Sequence, residues 1–126
     1  MQKARRFWFL AVGWAITIFA LSSIPGRAMP QVEALSYDKV AHSLVYSVLG
    51  GLCFVAIRNT RSVNRGQAIL LSMLVATVYG FTDEFHQLFV EGRNADLQDV
   101  LADAVGGLLG ASVAAMLSLV AQDATG

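Results

Sequence analysis

Two blocks of this 126-residue chain carry side chains whose types and spacing could do chemistry. In the first, Asp38, His42 and Tyr46 fall at i, i+4 and i+8, which on a helix makes one drifting stripe. A carboxylate one turn from an imidazole suits an oriented base or ligand, so Asp38 and His42 are catalytic candidates. In the second, Glu84 and Gln87 are helical neighbours, with Asp83 beside Gln87 at i+4. Glu84 is the other candidate for moving a proton. Beyond Gly92-Arg93, the residues Asp96, Asp99 and Asp103 fall at 0, +3 and +7, within about 60° of one another on a helix. These three aspartates offer oxygen ligands, which favour magnesium, manganese or calcium over zinc. Arg93 presents a planar fork for a carboxylate or phosphate, and Lys39 is a second cation for an anionic group. Gln87 and Tyr46 complete the expected substrate-binding set. His86 lies about 160° around the helix from Glu84 and is expected to point elsewhere.

The elements that position these residues are membrane helices. The chain is 56% hydrophobic and 14% charged, a balance that a soluble domain of this length could not bury. A bilayer core of about 30 Å needs roughly 20 apolar residues per helix. Four such stretches occur, at about 7–24, 38–57, 67–89 and 97–121, so the expected fold is all-α: a single domain over 1–126, a bundle of four transmembrane helices. Pro25-Gly26 ends the first stretch, and no small-x-small cleavage site follows it, so it reads as a retained span. With zero formal net charge and no long basic run, there is no footprint for nucleic acid. Cys53 is the one cysteine, which excludes an intrachain disulfide.

Charge also sets orientation. Lys3, Arg5, Arg6, Arg58, Arg61 and Arg65 fall on one side of the four spans, against Arg27, Lys39 and Arg93 on the other, which places both termini in the cytoplasm. All acids except Asp123 then face the extracytoplasmic side. A carboxylate in lipid costs on the order of 3 kcal/mol, so Asp83, Glu84, Asp99 and Asp103 facing lipid would cost roughly 10 kcal/mol together. They are expected to point inward at one membrane depth. Gly106, Gly107 and Gly110 continue the acidic face deeper, where glycines let another helix approach. Plainer roles compete with the chemical ones. Asp38 and Asp96 can serve as helix caps, Glu84, Asp99 and Asp103 as structural partners of Arg93 or Lys39, and Tyr46 as a packing aromatic.

The pattern Asp38-Lys39-x-x-His42-x-x-x-Tyr46-x-x-x-Gly50, followed by Asp83-Glu84-x-x-Gln87-x-Phe89-x-x-Gly92-Arg93-x-x-Asp96-x-x-Asp99-x-x-x-Asp103-x-x-Gly106, resembles the VanZ-like family of small bacterial membrane proteins. Glu91 stands where that family often has proline, and Asp103 where it often has asparagine. The resemblance implies a multi-pass protein of the bacterial cytoplasmic membrane and cell-envelope biology, because the founding member is linked to low-level teicoplanin resistance. It implies no reaction.

Three functions are compatible with this chemistry. The first is an intramembrane enzyme acting at the outer leaflet on a lipid headgroup or lipid-linked envelope precursor. In it, Arg93 and Lys39 hold the headgroup, His42 or Glu84 moves a proton, and Asp99 with Asp103 binds a divalent cation. The second is a protein that binds a lipid or lipoglycopeptide without turnover. The third is transport, for which four spans would need an oligomer. The oligomeric state is open.

Overall fold

The computed structural model describes the backbone of residues 2–28 and 35–126 and the side chains of residues 2–28 and 39–126. Four long helices dominate: α1 (Gln2–Ser22), α2 (Leu35–Thr60), α3 (Arg65–Gln87) and α4 (Leu97–Asp123), with a 3₁₀ turn at Gly26–Ala28. All four are long and apolar enough to cross a membrane. Large apolar side chains point outward along them, Phe9, Leu70 and Met116 being 75%, 65% and 66% exposed, an arrangement suited to lipid rather than water.

Local chemistry explains where the helices begin and end. α1 stops ahead of Pro25, whose ring disfavours helical geometry in the residue before it. Asn64 and Gln67 form a reciprocal cap at the start of α3, and Asp96 caps α4 by accepting from the Gln98 N–H at 2.8 Å. α3 ends at Gln87, so Phe89, expected at the end of the third span, lies in the turn that follows.

Contacts at the helix ends give an up-down-up-down order. Trp8 donates to Thr60 and Arg65 to Gln122 at one end; Gln87 donates to Ser22 and Lys39 to Asp96 at the other. Both termini therefore lie at one end of the bundle, and the charged residues of the second block at the opposite end.

α2 and α4 form the tight central pair. A Cβ at Gly106 would stand 2.3 Å from the Ser43 carbonyl oxygen, and one at Gly110 1.8 Å from that of Ser47. Gly50 meets Gly107 as closely, its Cβ position lying 2.2 Å from the Gly107 oxygen. With lipid tails as apolar as leucine, such backbone contact is what holds membrane helices together. α3 packs on the other side of α4, where Ala76 fits over Gly107. α1 is peripheral, burying Ala11, Ile18 and Ser22. It is pinned by Trp14, which donates to the Val45 carbonyl at 2.9 Å, and by the Tyr79 hydroxyl, which donates to the Ala15 carbonyl.

Candidate functional site

Each helix contributes to the polar end of the bundle from its terminal turns. α2 presents Lys39, His42 and Tyr46; α3 presents Asp83, Glu84 and Gln87; α4 presents Asp99 and Asp103 below its cap, Asp96. Asp38 falls in α2, but its side chain lies outside the described residues.

Lys39 is the cation of the acidic cluster. Its ammonium donates to Asp96 Oδ2 at 2.7 Å and to Asp99 Oδ1. That hydrogen bond, and next the one from the Gln98 N–H, hold the Asp96 carboxyl below the usual carboxylate range. Glu84 Oε2 accepts the Asp96 backbone N–H at 2.8 Å and so ties α3 to the start of α4. Its other oxygen, Oε1, has no hydrogen-bond partner among the described residues, although Glu84 is only 5% exposed.

His42 sits one helical turn deeper. Its Nδ1–H donates to Asp103 Oδ1 at 2.9 Å, while Nε2 lies 3.8 Å from Asp99 Oδ2. Asp103 is fully buried and occupies the space left by Gly80, where a Cβ would come within 2.5 Å of Oδ2. The rings of His42 and Tyr46 run nearly parallel, 6.4 Å between centroids, with Tyr46 buried beneath.

On the α1 side, His42 also lines a cleft of about 210 Å³ between the end of α1 and α2 and α3. Ile18, Leu21 and Val45 make its walls apolar, and His42, Asp83 and Gln87 are among its polar groups. Arg93 lines it too, but its donors go to backbone: Nε to the Ile24 carbonyl at 3.0 Å and a terminal nitrogen to that of Leu21 at 3.3 Å. The guanidinium thus satisfies carbonyls at the negative end of α1. His86 faces α1 as well, 3.0 Å from Ser23 Oγ and stacked on Phe19.

His42, Glu84, Lys39, Asp96, Asp99 and Asp103 thus gather in one cluster, with Tyr46 packed against His42. Gln87 and Arg93 stand at the cleft instead, reaching the cluster through His42. Of the three aspartates expected to hold a cation, Asp99 keeps an oxygen in a group with His42 and Glu84, whose ligand atoms all lie within 4.8 Å of one another. Asp96 is bound to Lys39 and Asp103 to His42. The site includes two residues to which sequence reasoning gave no chemical role, Asp83 and Ser22. Asp83 had a signal in its i+4 spacing from Gln87; Ser22, at the end of an ordinary apolar span, had none.

The family model described as VanZ/LLP1 matches residues 7–118. The chain belongs to the VanZ family. Comparison with curated proteins and with solved structures gives no match. All the site residues of this VanZ-family membrane protein, from Ser22 to Asp103, fall inside the matched stretch, as do the glycines that seat α4 against α2. The aspartate at position 103, where the resemblance implies asparagine as the frequent residue, is the partner of His42.

Proposed function

We propose that this VanZ-family protein is an intramembrane enzyme acting at the extracytoplasmic leaflet on a lipid headgroup or lipid-linked envelope precursor, with His42 as the group that moves a proton. The observation that supports this best is the double position of His42, which is at once a wall of the apolar cleft and the partner of buried Asp103. An imidazole whose Nδ1–H is held by a carboxylate exchanges protons through Nε2 and is stabilised when it takes one up. The cleft would receive the aliphatic part of a lipid, leaving the headgroup at the polar end. There it meets the charge of Arg93, two of whose five N–H donors are taken by the Leu21 and Ile24 carbonyls. Lys39 offsets the negative charge of Asp96 and Asp99. Glu84 is the second proton-transfer candidate, with Asp38 on the face of α2 that carries His42. The six-to-three excess of basic residues orients the bundle with its termini in the cytoplasm.

A second reading, a lipid- or lipoglycopeptide-binding protein without turnover, is favoured by the apolar walls of the cleft. Reconstitution separates the two. Full-length protein in liposomes containing lipid-linked precursors and bulk phospholipids is expected to yield a new product by mass spectrometry. Formation of that product is expected to cease in His42→Asn, with insertion and thermal stability kept. Saturable lipid binding with no product would favour the second reading. Loss of turnover is expected to be accompanied by an envelope phenotype such as changed teicoplanin susceptibility.

A further inference from the structure

We propose that His42, Glu84 and Asp99 form a binding site for one divalent transition-metal ion. Three helices supply one ligand each: α2 an imidazole, α3 and α4 a carboxylate. Their ligand atoms lie within 4.8 Å of one another, and Glu84 and Asp99 are each 5% exposed.

Two observations separate this group from an ordinary acidic patch. Glu84 Oε1 is buried without a hydrogen-bond partner among the described residues, belonging to the carboxylate that joins the group. A buried carboxylate oxygen in that condition calls for a cation or a proton donor. Asp99 is also divided between two neighbours: Oδ1 accepts from Lys39, whereas Oδ2 faces His42 Nε2 at 3.8 Å. Ligands about 2.1 Å from a tetrahedral ion stand about 3.4 Å apart, so this pair needs to close by about 0.4 Å and no pair of the group by more than about 1.4 Å. The Lys39 contact need not break for an ion to bind through Oδ2. Behind the imidazole, Asp103 holds Nδ1 at 2.9 Å, the arrangement that fixes a histidine ligand's tautomer and raises its basicity.

An imidazole nitrogen beside two carboxylate oxygens suits Mn²⁺ or Zn²⁺ better than the all-oxygen sites of magnesium and calcium. A filled site also has a consequence that rests on the acid–base reading of His42. Nε2 would be held by the ion and withdrawn from substrate protons, so the metal-free protein is the active form.

The experiment loads purified full-length protein in nanodiscs with Mn²⁺ alone. One tightly held ion per chain is expected, together with coupling to a single ¹⁴N nucleus in pulsed electron paramagnetic resonance. Glu84→Gln and Asp99→Asn are expected to abolish stoichiometric binding, Asp103→Asn to weaken it on the order of 10- to 100-fold, and His86→Ala to leave it unchanged. The ¹⁴N coupling is read on the wild-type chain, so it remains decisive if a carboxylate variant fails to fold. Absence of a stoichiometric ion, or an ion without ¹⁴N coupling, overturns the site. Turnover that rises on metal loading would overturn His42 as the base and leave the site in place.

Discussion

Gly80 of α3 leaves the space that Asp103 of α4 fills, for a Cβ at Gly80 would stand 2.5 Å from Asp103 Oδ2. The partner of His42 is thus set by a residue with no polar side chain. Gly80→Ala is expected to push the Asp103 carboxylate off Nδ1 and lower turnover on the order of 10²-fold, the scale of a misplacement near 1 Å. The ¹⁵N shifts of the His42 ring in the purified variant report whether the Nδ1–H···carboxylate bond has gone. Preserved shifts with full turnover would show that Gly80 does not position Asp103.

Gly110→Ala is expected to destabilise the bundle by about 1–3 kcal/mol, because its Cβ would meet the Ser47 backbone, which cannot swing aside. Gly13→Ala makes the control. Nothing lies within 4 Å of a Cβ there, so the change is expected to be neutral or to gain up to about 1 kcal/mol in helix propensity. Thermal unfolding of the two variants in one detergent provides the comparison.

Arg93→Lys keeps a charge at the cleft but cannot reproduce the fork that reaches the Leu21 and Ile24 carbonyls together. The loss of one of two hydrogen bonds is expected to cost about 1 kcal/mol. A lowered melting temperature with substrate affinity retained would fit that role. Unchanged melting with weakened binding would instead assign the guanidinium to the headgroup.

Asp96 gives a pH dependence with a definite sign. Its carboxyl is held below the usual range, chiefly by the hydrogen bond from Lys39, so its contribution to stability is fully present above the unfolded value of about 4. The contribution disappears as pH falls through the lower, folded value. Asp96→Asn keeps an N-cap for α4 but loses the charge. Its stability is therefore expected to fall less steeply than wild type below about pH 4, and parallel acid limbs in thermal melts would contradict that.

Membrane orientation is open to direct test. Reporter fusions after Arg61 and after Asp123 are both expected to read cytoplasmic, and a fusion after Arg93 extracytoplasmic. Opposite readings for Arg61 and Asp123 would leave the span count wrong.

Much of this was legible in the chain because lipid is a demanding solvent. Four apolar stretches, the breaker at Pro25 and the cost of charge in hydrocarbon together imply four helices with Glu84, Asp99 and Asp103 turned inward, and the glycines of α4 marked the face that packs. Pairings across helices were less legible, since they depend on how each helix is rotated about its axis. Sequence spacing offered Asp38, whose side chain lies outside the described residues, as the neighbour of His42, and gave no sign of Asp103, 61 residues away. Arg93 was expected near an acid or a phosphate. It reaches the end of α1 because Gly92, with φ at +74°, turns the loop back, and because Gly26 has no side chain to keep Gly92 away.

That turn ties the start of the bundle to its later helices. α1 is fixed by groups spread along the rest of the chain: Val45 receives Trp14, Tyr79 reaches Ala15, and Arg93 reaches the carbonyls of Leu21 and Ile24. The end of α1 that walls the cleft therefore depends on a residue 69 positions beyond Ile24. Arg93 thus does two things at once, lining the cleft and fastening the helix end that forms its wall.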